Sequence, residues 1–312
     1  MYVRNLLNFD LENLFETVKN LNFLQIFVPI IFYFFGHFLR AFRLYFLSNN
    51  TTTSFNNLFK KQIQSNTINL IVPFKLGESY RVIAFSKLLG NSYRSFSTLV
   101  IERTLDVFVL FIYLSIGIYI SDKIKISDIS FIYFPVFFVI LSILTIVVIS
   151  KDTLLIIQKR ILQRYKGQKS KRLLKLIAKL SKNYISLEGL VYNKILQLMT
   201  LSFIIWGFEL IVLLMFYNFF NLEIDIILIL GVLIAFSGLL PNGPAGLGGI
   251  QLAFYFTATQ FNLITEDFIS MSYLYSFIIF GSAIFIGLIS FLTELYNKIH
   301  HEKKQYINSR FR

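Results

Sequence analysis

Cysteine is absent from this sequence, and histidine is rare, with only His37, His300 and His301. A chain without cysteine has no disulfide framework and no cysteine-ligated metal centre. The three histidines are not spaced as metal ligands, so we predict neither a metal site nor a cofactor. The first residues, 1–20, also lack the apolar core and the small-residue cleavage site of a secretory signal peptide.

Charge is scarce as well, because 15% of the residues are charged and 55% are hydrophobic. Soluble domains carry about 25% charged residues, and the mean hydropathy of this chain is +0.65. Several uncharged runs reach the roughly 20 residues that a helix needs to cross a bilayer. No alternating β-barrel pattern occurs in the sequence. These features predict an all-α integral membrane protein.

The net charge of +13 is concentrated in three basic zones, which hold 25 of the 30 lysines and arginines. In a soluble protein this charge would suggest nucleic acid. Here the zones alternate with apolar runs, so anionic lipid headgroups explain them and no nucleic-acid partner is predicted. The positive-inside rule places all three zones in the cytoplasm. They are 40–97, 151–194 and 294–312.

Five apolar segments are long enough to cross the membrane. All three basic zones face the cytoplasm only if two further apolar stretches, 66–90 and 226–262, enter and leave on one side. We therefore predict a polytopic helical bundle of about five full spans and two re-entrant helical hairpins, in the plasma (inner) membrane. Segment 1–20 is then extracytoplasmic, 21–293 forms the membrane domain, and the tail 294–312 is cytoplasmic. The predicted spans are 21–42, 98–120, 129–150, 195–218 and 268–293.

The second hairpin is interrupted by SGLLPNGPAGLGGIQLAF at 237–254. Its prolines stop the helix, and its glycines allow positive φ and close backbone approach. A new helix begins near Gly249, and its free N–H groups favour an anion. Two interpretations stay open: an anion-binding break in a membrane helix, or a bend of small residues that packs two helices. The prolines are Pro241 and Pro244, and the glycines are Gly243, Gly246, Gly248 and Gly249.

The first hairpin contains VPFKLGESYR, in which Pro73 and Gly77 break the apolar run. Lys75 and Arg81 suit a phosphate, because arginine offers a planar fork of donors and lysine offers a point charge. Glu78 precedes Arg81 by one turn and can pair with it if this half is helical. The alternative is that both cations extend to the cytoplasmic surface as ordinary snorkelling side chains.

The second span carries Glu102, Arg103 and Asp106 within its apolar run. Glu102 and Asp106 are four residues apart on one helical face, and Arg103 flanks them. Fourteen residues separate Asp106 from Ser121, too few to cross, so this carboxylate lies at some depth. Charged groups inside a membrane usually face a cavity or a partner. The alternative is an interfacial Arg–Asp pair that anchors the helix.

Other polar residues in the spans are secondary candidates. His37, Arg40 and Arg43 recur every three residues at the end of the first span, which is typical of interfacial anchors. Glu209 is the only charge in the fourth span, where either a buried partner or a proton carrier is consistent with the sequence. We interpret Trp206, the single tryptophan, as a packing residue.

The basic zone 151–194 includes KRLLKLIAKL, a pattern typical of an amphipathic helix. We predict that this segment lies on the inner membrane surface, held by anionic lipid. This interpretation requires no specific protein partner.

Three motifs in this order make the sequence resemble the lysylphosphatidylglycerol synthase transmembrane-region family, a flippase-like membrane domain. First, a span ends in paired arginines, in LRAFRLYFL. Second, a Pro-x-x-x-Gly-Glu-x-x-Arg element at 73–81 is followed by Glu-Arg-x-x-Asp at 102–106. Third, LLPNGPAGLGGIQ ends in Gln251, where the family usually has a glutamate. The resemblance covers roughly residues 20–295.

The resemblance implies that a phosphate-bearing lipid is moved between leaflets, with an aminoacylated phospholipid and a polyprenyl-phosphate-linked sugar as candidates. We expect the cations to neutralise the phosphate and the neighbouring carboxylates to balance those cations or to meet a cationic headgroup. Amide groups of the glycine break would bind the anion as it crosses. The expected binding residues are Lys75, Glu78, Arg81, Glu102, Arg103, Asp106, Gly243, Gly246, Gly248, Gly249 and Gln251, with Arg40, Arg43 and Glu209 as secondary candidates.

A transporter is favoured over an enzyme, because these 312 residues do not include the soluble aminoacyl-transferase domain of the full synthases. Two alternatives stay open. One is a membrane glycosyltransferase, although its outside loop would offer only Asp122 and Asp128, which Lys123 and Lys125 balance. The other is a non-catalytic membrane partner of a surface-glycan or lipid-modifying enzyme. A separate enzyme of this kind is the candidate protein partner.

Overall fold

The fold is helical throughout the part of the chain that the structure describes, and no strand occurs there. The computed structural model describes residues 22–48, 54–72, 76–121, 168–220, 222–238 and 243–310, with residue 19 and a few positions between 156 and 163. The all-α prediction is confirmed for these residues. The helices are α1 (Phe23–Ser48), α2 (Phe55–Ile71), α3 (Leu76–Leu89), α4 (Ser92–Ile120), α5 (Gln168–Phe220), α6 (Ile224–Ser237), a 3₁₀ turn (Pro244–Gly246), α7 (Gly249–Gln260), α8 (Thr265–Tyr275), a π-helix (Ser276–Phe280) and α9 (Gly281–Arg310).

Three helical segments are long and apolar enough to cross a membrane: Phe23–Ser48, Asn193–Met215 and Thr265–His300. They correspond to the first, fourth and fifth predicted spans. The second predicted span, 98–120, lies within α4, and the third, 129–150, lies outside the described residues. The chain is therefore a membrane protein, and its total number of spans stays a prediction.

Helix α5 runs for 53 residues without a break. At 1.5 Å per residue it is about 80 Å long, more than twice the thickness of the hydrocarbon core. No proline interrupts 168–220, so the described part of the basic zone continues directly into the fourth span. The predicted boundary at 194 is therefore not marked by a helix end.

Helices α2 and α3 pack against each other and form the first predicted hairpin. The hairpin begins at Phe55 and not at 66 as predicted, because Ser54 caps α2 by accepting a hydrogen bond from the backbone N–H of Asn57 (3.4 Å). Most of α2 is too polar for a search for apolar runs to detect. At 17 and 14 residues the two helices are about 26 and 21 Å long, shorter than a full span.

The second predicted hairpin corresponds to α6 and α7, which have 14 and 12 residues. Helix α6 ends at Ser237 and α7 begins at Gly249, with the 3₁₀ turn Pro244–Gly246 between them. Gly246 and Gly248 have φ angles of +72° and +92°, which side chains with a Cβ rarely adopt. Each helix is too short to span alone. That both pairs are re-entrant stays a prediction.

Helix α9 packs on α2 through Gly287. A Cβ at this position would overlap the Thr67 side chain, whose Oγ1 donates to the carbonyl oxygens of Ile63 (3.0 Å) and Ala283 (3.3 Å). Thr67 is thus held in place and cannot move aside at low cost. The two helix backbones approach closely because this position has no side chain, as small residues allow in membrane bundles.

We expect Gly287→Ala to lower the free energy of unfolding by about 1–3 kcal/mol through overpacking. Gly281→Ala on the same helix is the matched control, because no atom lies within 4 Å of a Cβ built there. That control should be neutral or stabilise by about 0.5–1 kcal/mol through helix propensity. Unfolding titrations in mild detergent measure both changes. Equal effects of the two substitutions would contradict the packing described here.

Candidate functional site

Arg43 of α1 lies at the centre of a buried ionic cluster and is only 1% exposed. Its Nη1 donates to Asp106 Oδ1 (2.7 Å) and its Nη2 donates to Asp106 Oδ2 (3.3 Å), so the guanidinium binds the carboxylate in a bidentate manner. Nε also reaches Glu102 Oε1 (3.4 Å), and Nη1 donates to the Ser202 hydroxyl (2.6 Å). The interpretation of Arg43 as an interfacial anchor is therefore wrong.

Two further arginines join the hairpin α2–α3 to α4. Arg81 Nη2 donates to Glu102 Oε2 at 2.6 Å, and the predicted contact of Arg81 with Glu78 is longer, at 3.9 Å. Arg103 donates to Glu78 Oε1 and lies 3.5 Å from Asp106. The side chain of Arg103 is 42% exposed, whereas that of Arg81 is 7% exposed. Arg103 is thus the accessible cation of the cluster.

A third pair extends the cluster towards α5. Arg40 donates to Glu209 Oε1 (2.7 Å), and its guanidinium lies over the Trp206 ring at 5.3 Å. Trp206 Nε1 in turn donates to Asp106 Oδ1 (3.2 Å). Glu209 is therefore an ion-pair partner of Arg40, and Trp206 is part of the polar network and not only a packing residue. His37, also interpreted as an anchor, is 4% exposed and lies inside the bundle.

Each buried charge in this cluster meets an opposite charge, which offsets part of the cost of placing it away from water. Four arginines and four carboxylates come from four different helices and join the first hairpin, α1, α4 and α5. The face of α4 that carries Glu102 and Asp106 is thus an internal face of the bundle. The alternative, an Arg–Asp pair that anchors α4 at the membrane interface, is wrong.

The cluster borders a cavity of about 240 Å³. Both broken elements line this cavity, the first through Val72, Glu78 and Arg81, and the second through Ser237, Gly238, Gly243, Gly246 and Ile250. Tyr275 and Phe280, at the two ends of the π-helix, also line it; π-helical turns often occur at functional sites. The charged lining consists of Arg40, Arg43, Arg81, Arg103, Glu78, Asp106 and Glu209, so the wall carries one more cation than it carries carboxylates.

The glycine break uses several of its amides internally. The N–H of Gly248 donates to Gln251 Oε1 (2.7 Å), and the N–H of Gly243 donates to the Leu247 carbonyl (2.9 Å). The Leu247 N–H donates to the carbonyl of Pro244 (3.1 Å). Gln251, 2% exposed, therefore caps α7. These three amides are therefore not free to bind an anion. The donors that remain available to an anion in the cavity are mainly the arginines of its wall.

The predicted residues do not all reach the cavity. Gly243 and Gly246 line it, whereas Gly248, Gly249, Gln251 and the buried Glu102 do not. Gly77 packs against the backbone and side chain of Asn69, and Pro244 begins the 3₁₀ turn. Lys75, Pro73 and Pro241 lie outside the described residues.

Sequence reasoning missed the polar face of α2. Gln62, Ser65, Asn66 and Asn69 line the cavity and recur with the i, i+3, i+4, i+7 spacing of one helical face. A polar face with this spacing in a membrane domain indicates a helix that lines a polar cavity, and the sequence alone contains that pattern. Tyr33 was missed too; its hydroxyl accepts from Asn66 Nδ2 (2.9 Å).

Comparison with known families adds to this geometry. Residues 2–287 match the family described as the lysylphosphatidylglycerol synthase TM region. The chain belongs to this family. Over 233 residues it is 28% identical to a protein described as UPF0104 membrane protein MJ1078 from Methanocaldococcus jannaschii, and the alignment covers 72% of this chain and 92% of that protein. No solved structure matches the chain.

In this member of the lysylphosphatidylglycerol synthase TM-region family, the two charged motifs that carried the resemblance are bonded to each other. Arg81 of the first motif pairs with Glu102 of the second, and Arg103 of the second pairs with Glu78 of the first. The spacing in the sequence thus corresponds to a reciprocal pair of ion pairs between α3 and α4. The resemblance is confirmed.

Proposed function

We propose that this protein binds a phosphate-bearing lipid headgroup in the cavity and moves it between the leaflets of the membrane. The observation that carries the proposal is the cavity wall, where four arginines lie between two interrupted helical elements. Arginine recognises phosphate with paired, charge-assisted hydrogen bonds. Irregular backbone inside a membrane is tolerated where it lines a cavity, and broken helices form substrate sites in many transporters.

Headgroup binding would proceed by exchange of ion-pair partners. Arg103 is the most exposed cation, so an incoming phosphate meets it first and competes with Glu78 for its guanidinium. Arg81 lies near both Glu102 and Glu78. It can therefore exchange one of these carboxylates for the phosphate with little movement of α3. Because carboxylates balance the arginines when the site is empty, the empty site carries no uncompensated buried charge.

In this proposal the protein lies in the plasma membrane. Its basic zones face the cytoplasm, so the C-terminus is cytoplasmic. The two hairpins then approach the cavity from opposite sides. A separate lipid-modifying or glycan-synthesis enzyme would supply the lipid. Movement would be driven by a gradient, by the membrane potential or by consumption of the lipid on the far side.

Retention of lipid during purification tests the binding step. We expect native mass spectrometry of the wild-type protein in mild detergent to detect a bound anionic or polyprenyl-phosphate lipid. Arg81→Ala should reduce the occupied fraction roughly tenfold, because a hydrogen bond to a charged group contributes about 1.5–3 kcal/mol. Lys87→Ala, which removes an exposed cation of the same helix, is the matched control and should leave occupancy unchanged. Equal occupancy in all three proteins would contradict the proposal.

A further inference from the structure

One wall of the cavity is polar but uncharged. It consists of the α2 side chains Gln62, Ser65, Asn66 and Asn69, and His37 of α1 also lines the cavity. The arginines and carboxylates come from other helices, α1, α3, α4 and α5. The cavity therefore has two chemically different parts, one that suits a phosphate and one that offers only neutral hydrogen-bonding groups.

Several atoms of the neutral part have no hydrogen-bond partner within the described residues. They are Gln62 Oε1, Asn69 Oδ1 and both ring nitrogens of His37, and Gln62 and His37 are each only 4% exposed. Buried polar groups are almost always hydrogen-bonded, so an unsatisfied set in a cavity indicates a ligand or ordered water. An uncharged imidazole offers one donor and one acceptor, and the Gln62 carbonyl accepts only. Several hydroxyl groups together satisfy this set, because each donates one hydrogen bond to an acceptor and can accept from the imidazole N–H.

A ligand ammonium is a poorer match, because the carboxylates of the cluster are already used. Glu102 and Asp106 accept from Arg43, and Glu78 and Glu209 each accept from another arginine. An ammonium has only donors, so it leaves the N–H of the His37 imidazole without a partner, whereas hydroxyls both donate and accept. It also adds positive charge to a wall that already carries one more cation than it carries carboxylates.

The size of the cavity limits the headgroup. Its volume of about 240 Å³ corresponds to roughly eight water molecules at the share of liquid volume that one water occupies. That space accommodates a phosphate and one ring with its hydroxyls. Further sugar residues would have to extend out of this space.

We propose that the headgroup carries, beside its phosphate, a single hydroxyl-rich moiety of monosaccharide size, a sugar or a cyclic polyol, which the neutral wall of α2 and His37 recognise. The inference rests on the proposed function and narrows its substrate class. Of the lipids that the family resemblance suggests, it favours the sugar-bearing kind over the aminoacylated kind.

Three short-chain lipids test this inference on the 312-residue protein in detergent. Phosphatidylinositol carries a phosphodiester and a cyclic polyol, phosphatidylmethanol has the same charge without hydroxyls, and phosphatidylethanolamine offers an ammonium. We expect phosphatidylinositol to bind roughly tenfold more tightly than either of the others, because its hydroxyls satisfy buried polar atoms. Equal affinity for the first two, or tighter binding of phosphatidylethanolamine, overturns the inference.

Variants of the neutral wall test whether its side chains cause the preference for phosphatidylinositol. His37→Phe and Gln62→Met keep side-chain size and remove the unpaired polar atoms, so the ratio of the two phosphodiester affinities should fall to about one. Gln197→Met and His300→Phe make the same changes at exposed positions and should keep the ratio. A ratio unchanged by the cavity variants overturns the assignment of the neutral wall.

The test separates this inference from the proposed function. If phosphatidylmethanol binds as tightly as phosphatidylinositol and Arg81→Ala weakens the binding of both lipids roughly tenfold, the phosphate site stands and the hydroxyl-rich moiety is excluded. If none of the three lipids binds to the wild-type protein, both proposals fail.

Discussion

Replacing Arg43 with alanine is expected to lower the free energy of unfolding by about 3–5 kcal/mol, because it leaves buried carboxylates without their cation. Asp106 would lose both donors of the guanidinium fork and keep Trp206 Nε1 and the more distant Arg103. Glu102 would keep Arg81. The loss therefore falls mainly on Asp106, which is 3% exposed.

Unfolding titrations of the detergent-solubilised protein measure this loss. Arg172→Ala, which removes an exposed arginine from α5, is the control and should change the stability by less than about 0.5 kcal/mol. Adding Asp106→Asn to Arg43→Ala removes the uncompensated charge, and we expect a coupling energy of about 0.5–3 kcal/mol between the two positions. Additive effects, or a loss no larger than the control's, would show that the pair is not formed.

The double variant Arg81→Ala/Arg103→Ala should reduce lipid movement between leaflets by roughly 100-fold or more. Each arginine would supply a charge-assisted hydrogen bond to the phosphate, at about 1.5–3 kcal/mol each, and every 1.4 kcal/mol corresponds to a factor of about ten. The protein should remain folded, because Glu102 keeps Arg43 and Glu78 keeps a hydrogen bond from Asn69 (3.4 Å).

Proteoliposomes with a fluorescent phosphate-bearing lipid measure this movement, through the fraction that an impermeant quencher reaches over time. Lys87→Ala/Arg172→Ala removes two exposed cations and should retain the wild-type rate. Wild-type movement in the folded Arg81→Ala/Arg103→Ala protein would exclude the arginines from the translocation path.

The sequence predicted the charged elements better than it predicted their partners. Charges inside an apolar run must be satisfied, so Glu102 and Asp106 were recognisable from composition alone. The partner of Asp106 was not, because Arg43 lies 63 positions away along the chain and spacing does not encode that distance. Arg43 resembled an anchor because it ends a span, and only the packing of α1 on α5 places it inside the bundle.

The limits of hydropathy explain the errors in the helices. The interior face of α2 carries the polar residues of the cavity, so this helix did not register as a membrane element before residue 66. The π-helix at Ser276–Phe280 falls within a long uncharged run, and neither glycine nor proline marks its start. At the glycine break, residue types allowed positive φ at four glycines, and the structure has it at Gly246 and Gly248 but not at Gly243 or Gly249. They did not predict that Gln251 would occupy one of the amides.

In the function that we propose, the headgroup of a phosphate-bearing lipid enters the cavity between the two broken elements. Photo-crosslinking in proteoliposomes tests it most directly, with a phosphatidyl alcohol that carries a diazirine on the headgroup and with peptide mapping of the adducts. We predict adducts on both 62–81 and 243–250, competed by unlabelled phosphatidylmethanol and lost in Arg81→Ala/Arg103→Ala. Adducts confined to exposed apolar positions such as Phe277 and Phe285, unaffected by competitor or variant, would contradict the claim.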